Sequence, residues 1–238
     1  MTDSVSRETP PPPVEAAGVF ADRLPLAVAY AGWLADAGTV RGLIGPREVP
    51  RLWERHLLNC AVLTELLPDD ASVCDIGSGA GLPGLVVAIR RPDLTVTLVE
   101  PLLRRTTFLE EVVADLGLTN VEVVRGRAEA LHGKREFDVV TSRAVAPLDR
   151  LLTWSLPLCR PGGLVLAMKG SSAEREITEA SAVLERARVE RPEILHTGED
   201  HLSVPTTVVR VVGPARQQVG LSSARGSSSS RRRKSRGR

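Results

Sequence analysis

From residue 71 onward the chain alternates short runs rich in Val, Leu and Thr with stretches of helical periodicity, and this alternation restricts the fold more than any other feature of its 238 residues. The runs at 71–77, 94–100, 121–126, 137–143, 164–169 and 206–212 read as strands. The segments 82–91, 102–117, 148–159 and 172–191 read as helices, with a brief turn at 128–131. Such alternation predicts an α/β domain built on a mostly parallel sheet with helices on both faces. The strand runs are continuously apolar rather than strictly alternating, as burial on two sides requires.

Two more helices precede this region, at 20–37 and 46–67. In the first, Leu24, Ala27, Val28, Ala31, Leu34 and Ala35 recur at three- and four-residue spacing; in the second, Val49, Leu52, Trp53, His56, Leu57, Cys60, Ala61 and Leu63 do so. Gly38 ends the first and Gly45-Pro46 opens the second, so the pair forms an N-terminal helical cap. Four domain segments are expected: a disordered Pro-rich lead at 1–19, the cap at 20–68, the sheet domain at 69–213 and a disordered basic Arg/Ser tail at 214–238.

Composition narrows the class. With 42% hydrophobic and 25% charged residues the chain lies in the soluble globular range. No window reaches the length of a membrane span, and residues 1–13 are polar and end in four prolines, unlike a secretory signal, so a cytoplasmic protein is expected. Cys60, Cys74 and Cys159 are widely spaced and contain no C-x-x-C pair, which argues against disulfides and zinc. The net charge of +2 is uneven: residues 214–238 hold eight Lys or Arg and no acid, leaving 23 basic against 29 acidic residues in the body. Such a tail is either a salt-dependent tether for nucleic acid or simply a solvated end.

In open sheets of this kind the ligand lies beyond the carboxyl ends of the strands, near the point where strand order reverses. Four strand ends carry chemistry: Asp75 with Gly77, Gly79, Gly81 and Gly84, then Glu100, then Ala128-Glu129, then Ser142-Arg143. Gly79 to Gly84 spells G-x-G-x-x-G, which by itself fits a dinucleotide as well as other ligands. Glu100 can accept hydrogen bonds from ribose hydroxyls, a feature shared by NAD and S-adenosylmethionine. Asp75 either caps the following helix or orders the loop and favours a cationic ligand, which suits a sulfonium better than a pyrophosphate. Arg160-Pro161-Gly162-Gly163 marks a helix-turn-strand corner, and no length remains after about residue 213 for a separate substrate domain. An S-adenosylmethionine-dependent methyltransferase is therefore the first expectation.

The acceptor is narrowed by elimination. The chain has Thr141-Ser142-Arg143-Ala144 where amine methylation commonly uses an Asn/Asp-Pro-Pro-aromatic loop, and none of the three cysteines lies near that strand for attack on a pyrimidine. Acceptors with a free lone pair remain, guanine N7 among them, and these need no general base. Arg143 can hold a phosphate, face a base, bridge to the cofactor carboxylate or form a strand-end ion pair. Lys169 is a candidate phosphate contact, while His56 on a largely apolar face reads as a hydrogen-bonded core residue.

Six segments in order carry a resemblance: Trp53-Glu54-Arg55-His56; Asp75-Ile76-Gly77-Ser78-Gly79-Ala80-Gly81-Leu82-Pro83-Gly84; Leu98-Val99-Glu100-Pro101-Leu102-Leu103-Arg104-Arg105; Val124-Arg125-Gly126-Arg127-Ala128-Glu129; Thr141-Ser142-Arg143-Ala144; and Leu166-Ala167-Met168-Lys169-Gly170. Over roughly residues 20–190 the chain resembles the RsmG (GidB) family of bacterial methyltransferases acting at N7 of guanine 527 of 16S ribosomal RNA. The resemblance implies a Rossmann-like S-adenosylmethionine-dependent fold, with cofactor contacts at Gly77 and Gly79, Leu82, Ala128, Glu129 and Arg143, and with Glu100 on the ribose. Arg143 is also the candidate catalytic residue, and no metal is expected. The implied partner is 16S rRNA or the small ribosomal subunit, with no membrane and with the chain acting as a monomer. Asn59-Cys60 departs from the Asp-Ser that the family pattern favours, and nothing in that pattern covers the tail. Two other readings are a methyltransferase for another nucleic-acid or small-molecule acceptor, and a non-catalytic RNA-binding protein on the same scaffold.

Overall fold

A computed structural model describes residues 9–215; the basic tail expected at 214–238 lies almost wholly outside the described residues. Within them, seven strands form one sheet in the order β3-β2-β1-β4-β5-β7-β6. The strands are β1 (Ser72–Ile76), β2 (Thr95–Glu100), β3 (Val121–Arg125), β4 (Phe137–Arg143), β5 (Cys159–Lys169), β6 (Glu193–Thr197) and β7 (Thr206–Val212). β1 to β5 pair in parallel, and β7 lies antiparallel to both β5 and β6. Strand order reverses beside β1, which pairs with β2 on one side and β4 on the other, so a crevice opens at their carboxyl ends.

Successive strand residues face opposite sides of a sheet, and the core divides accordingly. Val73, Val96, Leu98 and Val139 belong to one apolar cluster, whereas Cys74, Ile76, Val99 and Val140 belong to another. The first cluster is closed by α4 (Gly84–Arg90), α5 (Leu103–Asp115) and the N-terminal helices α1 (Val14–Phe20), α2 (Leu24–Trp33) and α3 (Asn59–Ala61). The second is closed by α6 (Leu148–Ser155), α7 (Ala173–Glu179) and α8 (Ser181–Ala187). The cap is thus one layer of the sheet's own core.

Several elements differ from the sequence expectation for identifiable reasons. The lead expected to be disordered through residue 19 ends in α1, which buries Ala16, Val19 and Phe20 against the cap. The helix expected at 46–67 starts as a tight turn over Pro46–Arg51, with Pro50 inside, widens to a π-type turn at Leu52–Leu58 and tightens again at Val62–Leu66. Pro157 ends α6 early. β5 begins at Cys159, five residues before expectation, because the Arg160–Gly163 corner is absorbed as an irregularity opposite Phe137 and Val139. β6 was not expected at all; it pairs along its whole length with β7.

Candidate active site

The glycine loop leaves β1 at Ile76 and is pinned from three sides. Backbone N–H groups of Gly77 and Ser78 donate to Val99 O of β2 at 2.8 and 3.2 Å. The hydroxyl of the buried Tyr30 reaches across from α2 to Ala80 O at 2.7 Å. Gly77 holds φ +69, and a Cβ there would lie 2.8 Å from the Val145 side chain, so any larger residue would both strain the turn and displace that wall. A Cβ on Gly84 would lie 2.7 Å from Asp75 Oδ2, which already accepts the Gly84 N–H at 3.0 Å.

Asp75 is therefore committed to the first turn of α4 and is fully buried beneath the loop, not on a ligand cavity. Of the two roles left open by the sequence, the geometry supports the helix cap. Burial pushes its pKa from 3.8 up to about 7, opposed by the Gly84 N–H, and its Oδ1 finds no hydrogen-bond partner.

Glu100, at the end of β2, is equally buried but faces the cavity. Its Oε2 accepts the Gly79 N–H at 3.1 Å and the Arg105 guanidinium at 3.3 Å, and its Oε1 accepts the Leu102 N–H at 3.0 Å. A carboxylate offers about four lone-pair positions. Two backbone bonds fix its orientation, while the Arg105 side chain, about a third exposed, is a partner that a ligand can replace.

At the end of β4 a polar chain ties the sheet to the cap. Arg143 Nη1 donates to Arg55 O at 3.2 Å, and its Nη2 lies 2.9 Å from His56 Nδ1. A guanidinium only donates, so Nδ1 must accept, and the imidazole proton resides on Nε2, 3.0 Å from Glu48 Oε2. Burial, with the Arg143 charge second, lowers the His56 pKa from 6.5 to about 4 against the opposing pull of Glu48. The ring is thus a neutral bridge of fixed tautomer. It fits the core role read from the sequence, with Arg143 as a partner that the sequence did not supply.

These elements enclose a cavity of about 630 Å³. Gly77, Gly79, Leu82, Glu100, Ala128, Glu129 and Arg143, the seven residues singled out from the sequence, all line it. Leu43 and Ile44 from the cap, Val145, and Arg150 and Trp154 from α6 are also part of the wall, with the Arg150 guanidinium 5.4 Å from the Trp154 ring. Sequence reasoning missed these; Leu43 and Ile44 lie between periodic segments, and Trp154 reads as part of an ordinary amphipathic helix. Lys169, considered as a phosphate contact, instead donates to Ala146 O at 2.7 Å and pairs with Glu176 at 2.8 Å. The three cysteines are buried, and burial pushes Cys60 up to about 11, Cys159 up to about 12 and Cys74 well above the thiol range, so none is a ready nucleophile. Among the described residues no group of His, Cys, Asp and Glu could hold a metal ion, and no helix is long and apolar enough to cross a membrane.

The same architecture occurs in solved methyltransferases. An S-adenosylmethionine-dependent O-methyltransferase from Thermotoga maritima aligns over 72% of this chain and 71% of its own at 12% identity, with a TM-score of 0.54. A S-adenosylmethionine-dependent methyltransferase from Aquifex aeolicus aligns over 71% and 98% at 19% identity, with a TM-score of 0.50. The fold, with its glycine loop and acidic strand end on one cavity, is that of the Rossmann-like S-adenosylmethionine-dependent methyltransferases. Sequence comparison is more specific. The rRNA small subunit methyltransferase G family (GidB) matches residues 23–203. The ribosomal RNA small subunit methyltransferase G of Nocardioides sp. is 65% identical over 89% of this chain and 85% of its own length, and that of Streptomyces coelicolor is 60% identical over 87% of each. The chain belongs to this family.

Proposed function

We propose that this protein transfers a methyl group from S-adenosylmethionine to N7 of a guanine in 16S ribosomal RNA, the guanine at position 527. The observation that carries the reading is the single cavity in which the glycine loop, Glu100, Ala128-Glu129 and Arg143 meet, in a chain of the rRNA small subunit methyltransferase G family.

The residues present fit that cofactor. Gly77 and Gly79 give close access to main chain, and Glu100, held by two backbone N–H groups, offers its remaining acceptor capacity to ribose hydroxyls once Arg105 swings out. Leu82 offers apolar contact to the cofactor at the start of its helix, with Ala128 and Glu129 beside the adenine. When bound, the cofactor would supply an electrophilic methyl group to the N7 lone pair, the C–S bonding electrons staying on sulfur and the positive charge passing to the purine. No proton moves in that exchange, so the protein's task is to orient and desolvate. The neutral, doubly bonded His56 and the raised thiols agree with it. Arg143, fixed by His56 and Arg55 O, supplies a positive group for RNA or for the cofactor carboxylate.

The proposed setting is a cytoplasmic enzyme acting as a monomer on 16S rRNA or the small subunit. Incubation with methyl-labelled cofactor and rRNA lacking the modification, followed by nuclease digestion, tests it. Label on guanine N7 at the single position is the expected result; label on another atom or none with intact substrate contradicts it.

A further inference from the structure

We propose that a second cavity, of about 440 Å³ and bounded by Asn59, Arg143, Lys169, Glu176 and Thr206, receives the acceptor guanine and reads its Watson–Crick edge. This rests on the guanine-N7 reading above and adds the place of the base and the groups that recognise it.

The two cavities share Arg143, Ala144 and Val145 as a common wall at the end of β4. Ala144 there holds φ +54, a left-handed conformation costly for a residue with a Cβ and one that persists where its surroundings enforce it. In-line transfer needs the donor carbon and the acceptor lone pair in adjoining spaces, and this wall is where they adjoin.

The polar lining of the second cavity includes a side-chain pair from distant parts of the chain. Thr206 Oγ1 lies 3.2 Å from the backbone oxygen of Asn59, to which it donates, and accepts from the Asn59 side-chain amide at 2.6 Å. With the Asn59 amide nitrogen assigned to Thr206, we assign its Oδ1 to the cavity as the acceptor. The Lys169 ammonium has three protons, of which Ala146 O and Glu176 Oε2 take two. A donor from Lys169 and an acceptor from Asn59 are thus among the groups that border a space large enough for a purine, with the Arg143 guanidinium and the Glu176 carboxylate beside them. Guanine presents an O6 acceptor beside an N1–H donor and complements that pair; adenine presents the reverse and would set donor against donor and acceptor against acceptor. Glu176 adds negative charge beside a ring that becomes cationic on N7 methylation. Burial alone would raise its pKa, but bonds from Lys169 and Ser172 bring it below the usual carboxylate range.

The test measures kcat/KM for unmodified rRNA alongside cofactor affinity and unfolding temperature. Asn59→Leu removes the acceptor and is expected to lower kcat/KM at least about tenfold while cofactor affinity holds, and Asn59→Asp, which keeps an oxygen facing the cavity, is expected to recover most of the loss. Lys169→Met supplies an independent arm, with a fall of similar size expected. Activity of Asn59→Leu or Lys169→Met within twofold of the parent would overturn the proposal, as would a loss of cofactor affinity in step with activity. If the parent protein itself places no label on guanine N7, the functional reading has failed; if the parent does and the variants match it, only the pocket assignment has.

Discussion

Arg143 is the charged residue that both cavities share, and its position depends on partners from the cap. Its guanidinium spends one donor on His56 Nδ1 and one on Arg55 O, a fork that an ammonium cannot reproduce. Arg143→Lys should therefore lower methyl transfer about tenfold or more in a steady-state assay; full activity in that variant would show that only the charge matters. Two buried groups nearby set a pH signature. His56 is lowered to about 4, so its contribution to stability is complete above pH 6.5 and is lost as pH falls toward 4. Asp75 is raised to about 7, so the folded protein keeps a proton that the unfolded chain releases above 3.8, and that contribution is lost as pH rises through 7. The slopes oppose one another between pH 4 and 6.5. Relative to the parent, Asp75→Asn should gain stability on going from pH 4.5 to 6.5, on the order of 2 kcal/mol, and His56→Gln should lose it over the same window. Urea titrations at the two pH values read this, and parallel profiles for parent and variants would refute it.

At the scale of elements, the turn between β1 and α4 is the part most constrained by geometry. Gly77→Ala combines a positive φ with a contact of 2.8 Å to Val145, and should cost about 1–3 kcal/mol of stability together with a large loss of cofactor affinity, measurable by denaturation and calorimetry. A variant that binds normally would mean that the loop yields at this point. This turn was legible in the sequence because its glycines, Asp75 and Glu100 are close along the chain and each answers a local requirement. The parallel strands were legible for the same reason, since double burial makes them continuous apolar runs. β6 was not: Glu193–Thr197 is only half-buried at the sheet edge, and its pairing with β7 is a tertiary fact. Nor were the wide turns at Leu34–Gly38 and Leu52–Leu58, which keep the apolar period of an ordinary helix while altering its hydrogen bonds.

For the whole molecule, the decisive feature is that the N-terminal layer and one face of the sheet share a core, so the sequence boundary near residue 68 is not a mechanical one. Deleting the N-terminal layer should abolish cooperative unfolding rather than release a stable sheet domain, and a sharp thermal transition in the remainder would contradict that. The residues proposed to hold the cofactor could be picked out in the sequence because they form compact motifs, and they line one cavity. The proposed acceptor pocket could not, because Asn59 and Thr206 lie 147 positions apart and meet only through the fold. The basic residues beyond 215 belong to a third kind of feature, composition without described structure; their removal should flatten the salt dependence of RNA affinity and leave cofactor affinity unchanged. All of this presumes that the cavity bounded by Gly77, Glu100 and Glu129 takes an adenosine sulfonium. Calorimetric titration of the purified protein with S-adenosylmethionine and, in parallel, with NADH measures that directly. One equivalent of S-adenosylmethionine bound and no heat from NADH is the predicted result; saturable NADH binding with none from S-adenosylmethionine or S-adenosylhomocysteine would contradict it.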